Sequence, residues 1–179
     1  MSVRGPRMAW AALAGVGLLL GVAASPASAM MEADKFIGTW RPISAEFHAE
    51  DGSLVDSPYG SEPQGVLMYD AEGNMAAQLS SKDRTPFAVN DRWGGTAEET
   101  RAAFGSYQAY FGRYVVDERE HTVTHVVAQA LLPNWIGTKQ VRYYKFQDGR
   151  LILRTPVISI GGRRVTGTLV WEKVRLHRD

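Results

Sequence analysis

Apolar and polar positions alternate along this chain with a period of two, in short runs broken by turn residues, a pattern that predicts β-strands. From Phe36 onward the runs are Thr39 to Ala49, Gly65 to Asp70, Asn74 to Ser80, Tyr107 to Asp117, His121 to Ala130, Gln140 to Phe146, Arg150 to Arg154 and Arg164 to Val174. Between them stand Asp51-Gly52, Glu72-Gly73, the charged tip Glu118-Arg119-Glu120, Asp148-Gly149 and Gly161-Gly162, all sequences suited to tight turns. Strands joined by hairpins form an antiparallel meander. One of this length closes on itself, because closure removes exposed edges. The predicted fold is therefore all-β, an antiparallel up-and-down barrel of about 8–10 strands. One short helix interrupts it. Thr96-Ala97-Glu98-Glu99 has the spacing of a capping box and leads into Thr100 to Phe104. With the polar connection Ser81 to Gly95 before it, this segment reads as a loop-plus-helix flap, either functional or a solvated surface excursion.

Hairpin parity assigns the inner face. A two- or four-residue loop around Glu118-Arg119 puts Tyr110, Gly112 and Tyr114 on one face with Val123, His125 and Val127, and leaves Arg113, Thr122 and Thr124 opposite. The second set is the more polar and goes to solvent. Read as a two-residue type I′ turn, Asp148-Gly149 sets Arg142, Tyr144 and Phe146 against Thr155, Leu153 and Leu151. The last strand turns Val165, Gly167, Leu169 and Trp171 inward. An interior of aliphatic and aromatic walls with a few polar groups suits a ligand pocket better than a dry core.

The first thirty residues break the pattern. Arg4 and Arg7 precede an apolar run from Met8 to Ala24 and then Ala27-Ser28-Ala29, the order of a secretory signal peptide. Residues 1–29 are accordingly expected to be a signal peptide and 30–179 the barrel domain, exported to the periplasm or the medium, with no stable membrane span after cleavage. An uncleaved anchor is the alternative. A chain of 179 residues supports one such domain. A net charge of +1, with basic residues scattered singly, argues against a nucleic-acid partner. There is no cysteine, so disulfides, thiolate metal sites and a cysteine nucleophile are excluded.

Several segments together resemble the bacterial lipocalin-like domain proteins of the calycin type. They are Phe36-Ile37-Gly38-Thr39-Trp40, Gly65-Val66-Leu67-Met68-Tyr69-Asp70, Tyr110-Phe111-Gly112-Arg113-Tyr114, Thr122-Val123-Thr124-His125, Leu132-Pro133-Asn134-Trp135 with Gly137, and Leu169-Val170-Trp171-Glu172. The resemblance covers Phe36 to Val174. It implies a calycin barrel in which Gly38 and Trp40 are structural, with Trp40 closing one end under a basic residue of the last strand, Lys173 or Arg175. Pro42 stands where an aliphatic residue is expected and points to an edge or a bulge, since proline cannot donate to the ladder.

The interior suggests its own chemistry. Arg142 and Tyr144 form a pair on one strand face that could grip a carboxylate, as fatty-acid-binding calycins hold an acid head group. The competing reading is an arginine at the rim paired with a local carboxylate. His125, between Tyr110 and Tyr114, is a candidate general base or a hydrogen-bonded core group. The ligand-binding set is thus Tyr110, Tyr114, His125, Arg142 and Tyr144. No metal site is expected: His121 and His125 share a strand face but stand roughly 13 Å apart at 3.3 Å per residue. No cofactor is expected either, haem included. The leading reading is an exported binder of a small hydrophobic or amphipathic, acid- or carbonyl-ended molecule. The alternatives are an acid/base enzyme of isomerase or cyclase type on a small hydrophobic substrate, and a structural barrel filled by its own side chains.

Overall fold

The computed structural model describes Met1 and residues 31–175. The expected signal peptide lies outside these residues apart from Met1, as does His177.

Among the described residues ten strands follow in chain order: β1 (Gly38–Ala49), β2 (Leu54–Val55), β3 (Gln64–Tyr69), β4 (Asn74–Ser80), β5 (Tyr107–Asp117), β6 (Thr122–Ala130), β7 (Lys139–Gln147), β8 (Arg150–Arg154), β9 (Ile158–Ile160) and β10 (Arg163–Lys173). They form one antiparallel sheet in the order β2-β1-β3-β4-β5-β6-β7-β8-β10-β9, which pairing of β1 with β10 closes into a barrel. Eight strands make the wall. β2 and β9 are short additions to it. A single α-helix, α1 (Ala97–Gly105), lies between β4 and β5, and its capping box is formed as expected: the Thr96 hydroxyl accepts from the Glu99 N–H while the Glu99 carboxylate accepts from that of Thr96.

The hairpin parities hold. Asp117 pairs with Thr122, so the β5–β6 loop has four residues, and Gly112, Tyr114 and Val116 face Val127, His125 and Val123. Asp148 and Gly149 have φ of 52° and 74°, the left-handed pair a type I′ turn requires. His121 does not begin a strand. Its φ of 49° puts it in the loop, off the strand face it was expected to share with His125.

Two irregularities shape the wall. The β1–β10 register shifts between Pro42 and Ser44, a bulge beside the proline that lacks a ladder N–H. A second shift, between Phe111 and Gly112, carries β5 so close to β6 that a Cβ on Gly112 would lie 2.0 Å from the Val126 carbonyl oxygen.

One end of the barrel is closed by aromatic rings. A 3₁₀ turn, Glu32–Lys35, carries Phe36 inside, where it is fully buried against Tyr69, Tyr144 and Phe146 at centroid distances of 5.4, 4.9 and 5.0 Å. Trp40 is buried beside them, and its indole N–H donates to the Phe36 carbonyl over 2.8 Å. Of the two basic residues proposed to cover it, Lys173 does so, with Nζ 5.2 Å from the ring centroid. Gly38 has φ +132°, and a Cβ there would press on the Lys173 side chain at 2.8 Å. Among the described residues no helix is long and apolar enough to cross a membrane.

Candidate functional site

Away from the aromatic floor the barrel encloses a cavity of about 510 Å³. Its walls come from inward positions of the strands, among them Leu67, Ala77, Leu79, Leu153 and Leu169. The connecting segments add Pro58 and Tyr59, Phe104 and Gly105 of α1, and Leu132 and Trp135. Ile158 and Ile160 of β9 complete it. The flap thus contributes its helix end to the cavity lining. The loop before α1 is tied to the helix by Arg84, whose guanidinium donates to the Ala103 carbonyl, and by the Ala88 N–H, which donates to the Glu99 carboxylate. Size and lining are those of a site for a small, mostly apolar molecule.

Three of the five expected ligand residues, Tyr110, His125 and Arg142, line this cavity. Tyr114 and Tyr144 point inward too, but they belong to the floor. The Tyr114 hydroxyl donates to the Asp70 carbonyl at 2.8 Å, and that of Tyr144 donates to the Glu32 carboxylate at 2.9 Å. Arg142 and Tyr144 therefore do not close on one ligand end as a pair. Two residues of strand rise set Tyr144 nearer the floor than Arg142, and the 3₁₀ turn supplies the tyrosine with its own acceptor.

His125 is 1% exposed, and both of its ring nitrogens are engaged: Nε2 with the Tyr69 hydroxyl at 2.7 Å and Nδ1 with the Tyr110 hydroxyl at 2.9 Å. Burial, helped by the Arg142 charge, pushes its pKa down to about 3, so the ring is neutral. Burial likewise raises the pKa of Tyr69 and Tyr110, with the Arg142 guanidinium beside Tyr110 offsetting part of the rise.

Arg142 is 8% exposed, and among the described residues it pairs with no carboxylate. Its guanidinium donates to the carbonyl of Val141 and lies against the Tyr110 hydroxyl. Among the described residues no Asp or Glu lines the cavity. Two more donors in the same wall have no partner among the described residues, Nε2 of Gln108 and the indole N–H of Trp171. The rim reading, an arginine satisfied by a neighbouring carboxylate, does not describe this residue.

The expected site lacks three residues that line the cavity, Tyr59, Gln108 and Trp135, and Tyr69, which reaches it only through His125. Parity could have supplied Gln108, two residues before Tyr110 on β5. Tyr69 also follows from parity across the Asp70–Asn74 turn, since it pairs with Met75 on the inner face. Tyr59 sits in an irregular connection and Trp135 in a single 3₁₀ turn, Pro133–Trp135, neither long enough for periodicity to aim a side chain. The burial of Tyr59 raises its hydroxyl pKa to about 12.

These features coincide with what comparison of the sequence finds. The 4'-hydroxy-3'-methoxypropiophenone carrier protein ppsC of Aspergillus oryzae is 32% identical over 108 residues, which cover 56% of this chain and 96% of that protein. The family model described as a lipocalin-like domain matches residues 37–174, nearly all of the barrel just described. The chain belongs to the lipocalin-like domain family.

Proposed function

We propose that this protein is an exported carrier that holds a small, largely apolar molecule in its barrel with a carboxylate or carbonyl end against Arg142. The observation that carries this reading is the buried guanidinium without a carboxylate. A cation removed from water is costly unless something compensates it, and a ligand oxygen arriving in the cavity does so. The apolar walls take the body of the ligand. The Aspergillus oryzae carrier is named for an aromatic ketone, and a phenyl ring with an acyl oxygen at one end suits this division of the cavity.

The acid/base alternative requires a base. His125 is a poor one, because both ring nitrogens are already bonded and burial lowers its pKa to about 3, which leaves it little affinity for a substrate proton. Holding a ligand is therefore the better use of the geometry.

Export rests on the residues before the barrel, Arg4 and Arg7 followed by Met8 to Ala24 and Ala27-Ser28-Ala29. Cell fractionation with N-terminal sequencing of the mature protein tests it, and a cytoplasmic full-length chain would remove it. Native mass spectrometry of protein purified from its own host tests the carrier role, with a co-purifying small molecule as the expected result. Titration of aryl ketones and aryl acids into the wild type and Arg142→Met tests the head group. A loss of tenfold or more in the variant is expected, and equal affinities would refute the role of Arg142.

A further inference from the structure

Tyr69, His125 and Tyr110 form a chain of three hydrogen-bonding groups that starts in the closed core and ends at the cavity. A neutral imidazole carries one N–H, so it donates to one tyrosine and accepts from the other. Which it does is decided at the buried end. Tyr69 is 2% exposed, and among the described residues its hydroxyl has no partner except Nε2 of His125. If Nε2 carried the hydrogen, the Tyr69 O–H would be left without an acceptor among the apolar side chains that bury it, the costly way to bury a donor. With the hydrogen on Nδ1, Tyr69 donates to Nε2 and nothing is orphaned.

The consequence appears at the other end. Nδ1–H then donates to the Tyr110 oxygen, which also has the Arg142 guanidinium beside it. The hydrogen of Tyr110 is left to point elsewhere, and what lies elsewhere is the cavity. We propose that Tyr69 fixes the Nδ1–H tautomer of His125, which turns Tyr110 into a hydrogen-bond donor toward the ligand. Arg142 and Tyr110 together are then a donor-only site for a carbonyl-type oxygen, ketone or carboxylate. Tyr69 and His125 are positioning residues in this scheme and touch the ligand's oxygen through Tyr110. The unpartnered donors of Gln108 and Trp171, and the lack of any Asp or Glu in the wall, agree with a cavity that offers hydrogens and lacks strong acceptors. A ligand hydroxyl would bring a hydrogen that neither the Arg142 guanidinium nor the Tyr110 oxygen, already accepting from Nδ1–H, is placed to receive, and a donor buried without an acceptor is costly.

This inference deepens the carrier reading and rests on it for the ligand, while the tautomer is measurable without one. Long-range ¹H–¹⁵N correlation spectra of the ligand-free protein, with His125 assigned by its loss in His125→Gln, should show a protonated Nδ1 and an unprotonated Nε2. The reverse pattern overturns the proposal whether or not any ligand binds. Three matched probes test the donor: an aryl ketone, its secondary alcohol and its methylene analogue. The wild type should prefer the ketone to each of the others by tenfold or more. Tyr110→Phe should erase most of that preference while keeping affinity for the methylene analogue, and Tyr69→Phe should reduce it severalfold and perturb the His125 nitrogen shifts. An aryl acid in place of the ketone identifies which oxygen the site favours; whichever binds better must lose its advantage in Tyr110→Phe. An advantage that survives there refutes the donor role of Tyr110. If no probe binds but Nδ1 is protonated, the carrier reading fails and the relay stands.

Discussion

Glu32 and Tyr144, 112 positions apart, share a hydrogen bond of 2.9 Å that ties the N-terminal 3₁₀ turn to the floor of the barrel. The tyrosine is the donor. Burial and the nearby carboxylates, Glu32 first among them, raise its pKa, so it keeps its hydrogen throughout the physiological range. Tyr144→Phe should therefore cost roughly 0.5–1.5 kcal/mol of stability, the net worth of such a bond. It should leave ligand affinity unchanged, since the hydroxyl faces the turn and not the cavity. Chemical denaturation alongside a ligand titration checks both halves. A variant of normal stability that has lost binding would restore Tyr144 to the ligand site.

Arg142 presents the opposite balance. Among the described residues its buried charge has no counter-ion, so in ligand-free protein Arg142→Met should raise the unfolding free energy by roughly 1 kcal/mol or more even as it weakens binding. Thermal unfolding without ligand gives the answer, with a higher Tm expected for the variant. The same substitution removes one of the two influences that lower the pKa of His125, which should move upward from about 3.

His125 makes stability depend on acidity. Its pKa falls from 6.5 to about 3 on folding, so between those values the unfolded chain binds a proton that the native barrel does not. Stability from this group is intact above pH 6.5 and falls as the pH is lowered, by up to about 1.4 kcal/mol per pH unit, until it levels off near pH 3. Urea titrations across this window should show that slope. His125→Gln should flatten it relative to the wild type, and an unchanged slope would mean that other groups are responsible.

At the closed end, Lys173→Ala should cost about 0.5–1 kcal/mol through loss of the ammonium over the Trp40 ring, while Lys173→Arg should retain most of it. Loss of Trp40 itself is a different matter. Its buried ring and its bond to Phe36 make Trp40→Ala worth about 3–5 kcal/mol. Denaturation midpoints of the three variants would order them.

Much of the barrel was legible without coordinates because its rules are local. β4, β5 and β8 have the boundaries that alternation and turn residues assign, and the inward face of β5 through β8 follows from the lengths of two loops. The two-residue β2 and three-residue β9 are too short to show a period, and each exists because a neighbouring strand edge offers it partners. Phe36 heads the recognised Gly-x-Trp segment, yet nothing around it in the chain says that it fills the barrel floor. It does so because a closed barrel leaves an end to be filled.

Alternation and turn chemistry alone thus determined that Tyr110, Tyr114, His125, Arg142 and Tyr144 all face inward, since side-chain direction along a strand is set residue by residue. Depth is another matter. The pairing order and closure of the strands put Tyr114 and Tyr144 in the aromatic floor, bring Tyr69 to His125 across 56 positions of sequence, and leave Arg142 in the cavity without a carboxylate among the described residues. Those relationships depend on which strands meet and at what height, and only the closed sheet supplies that information.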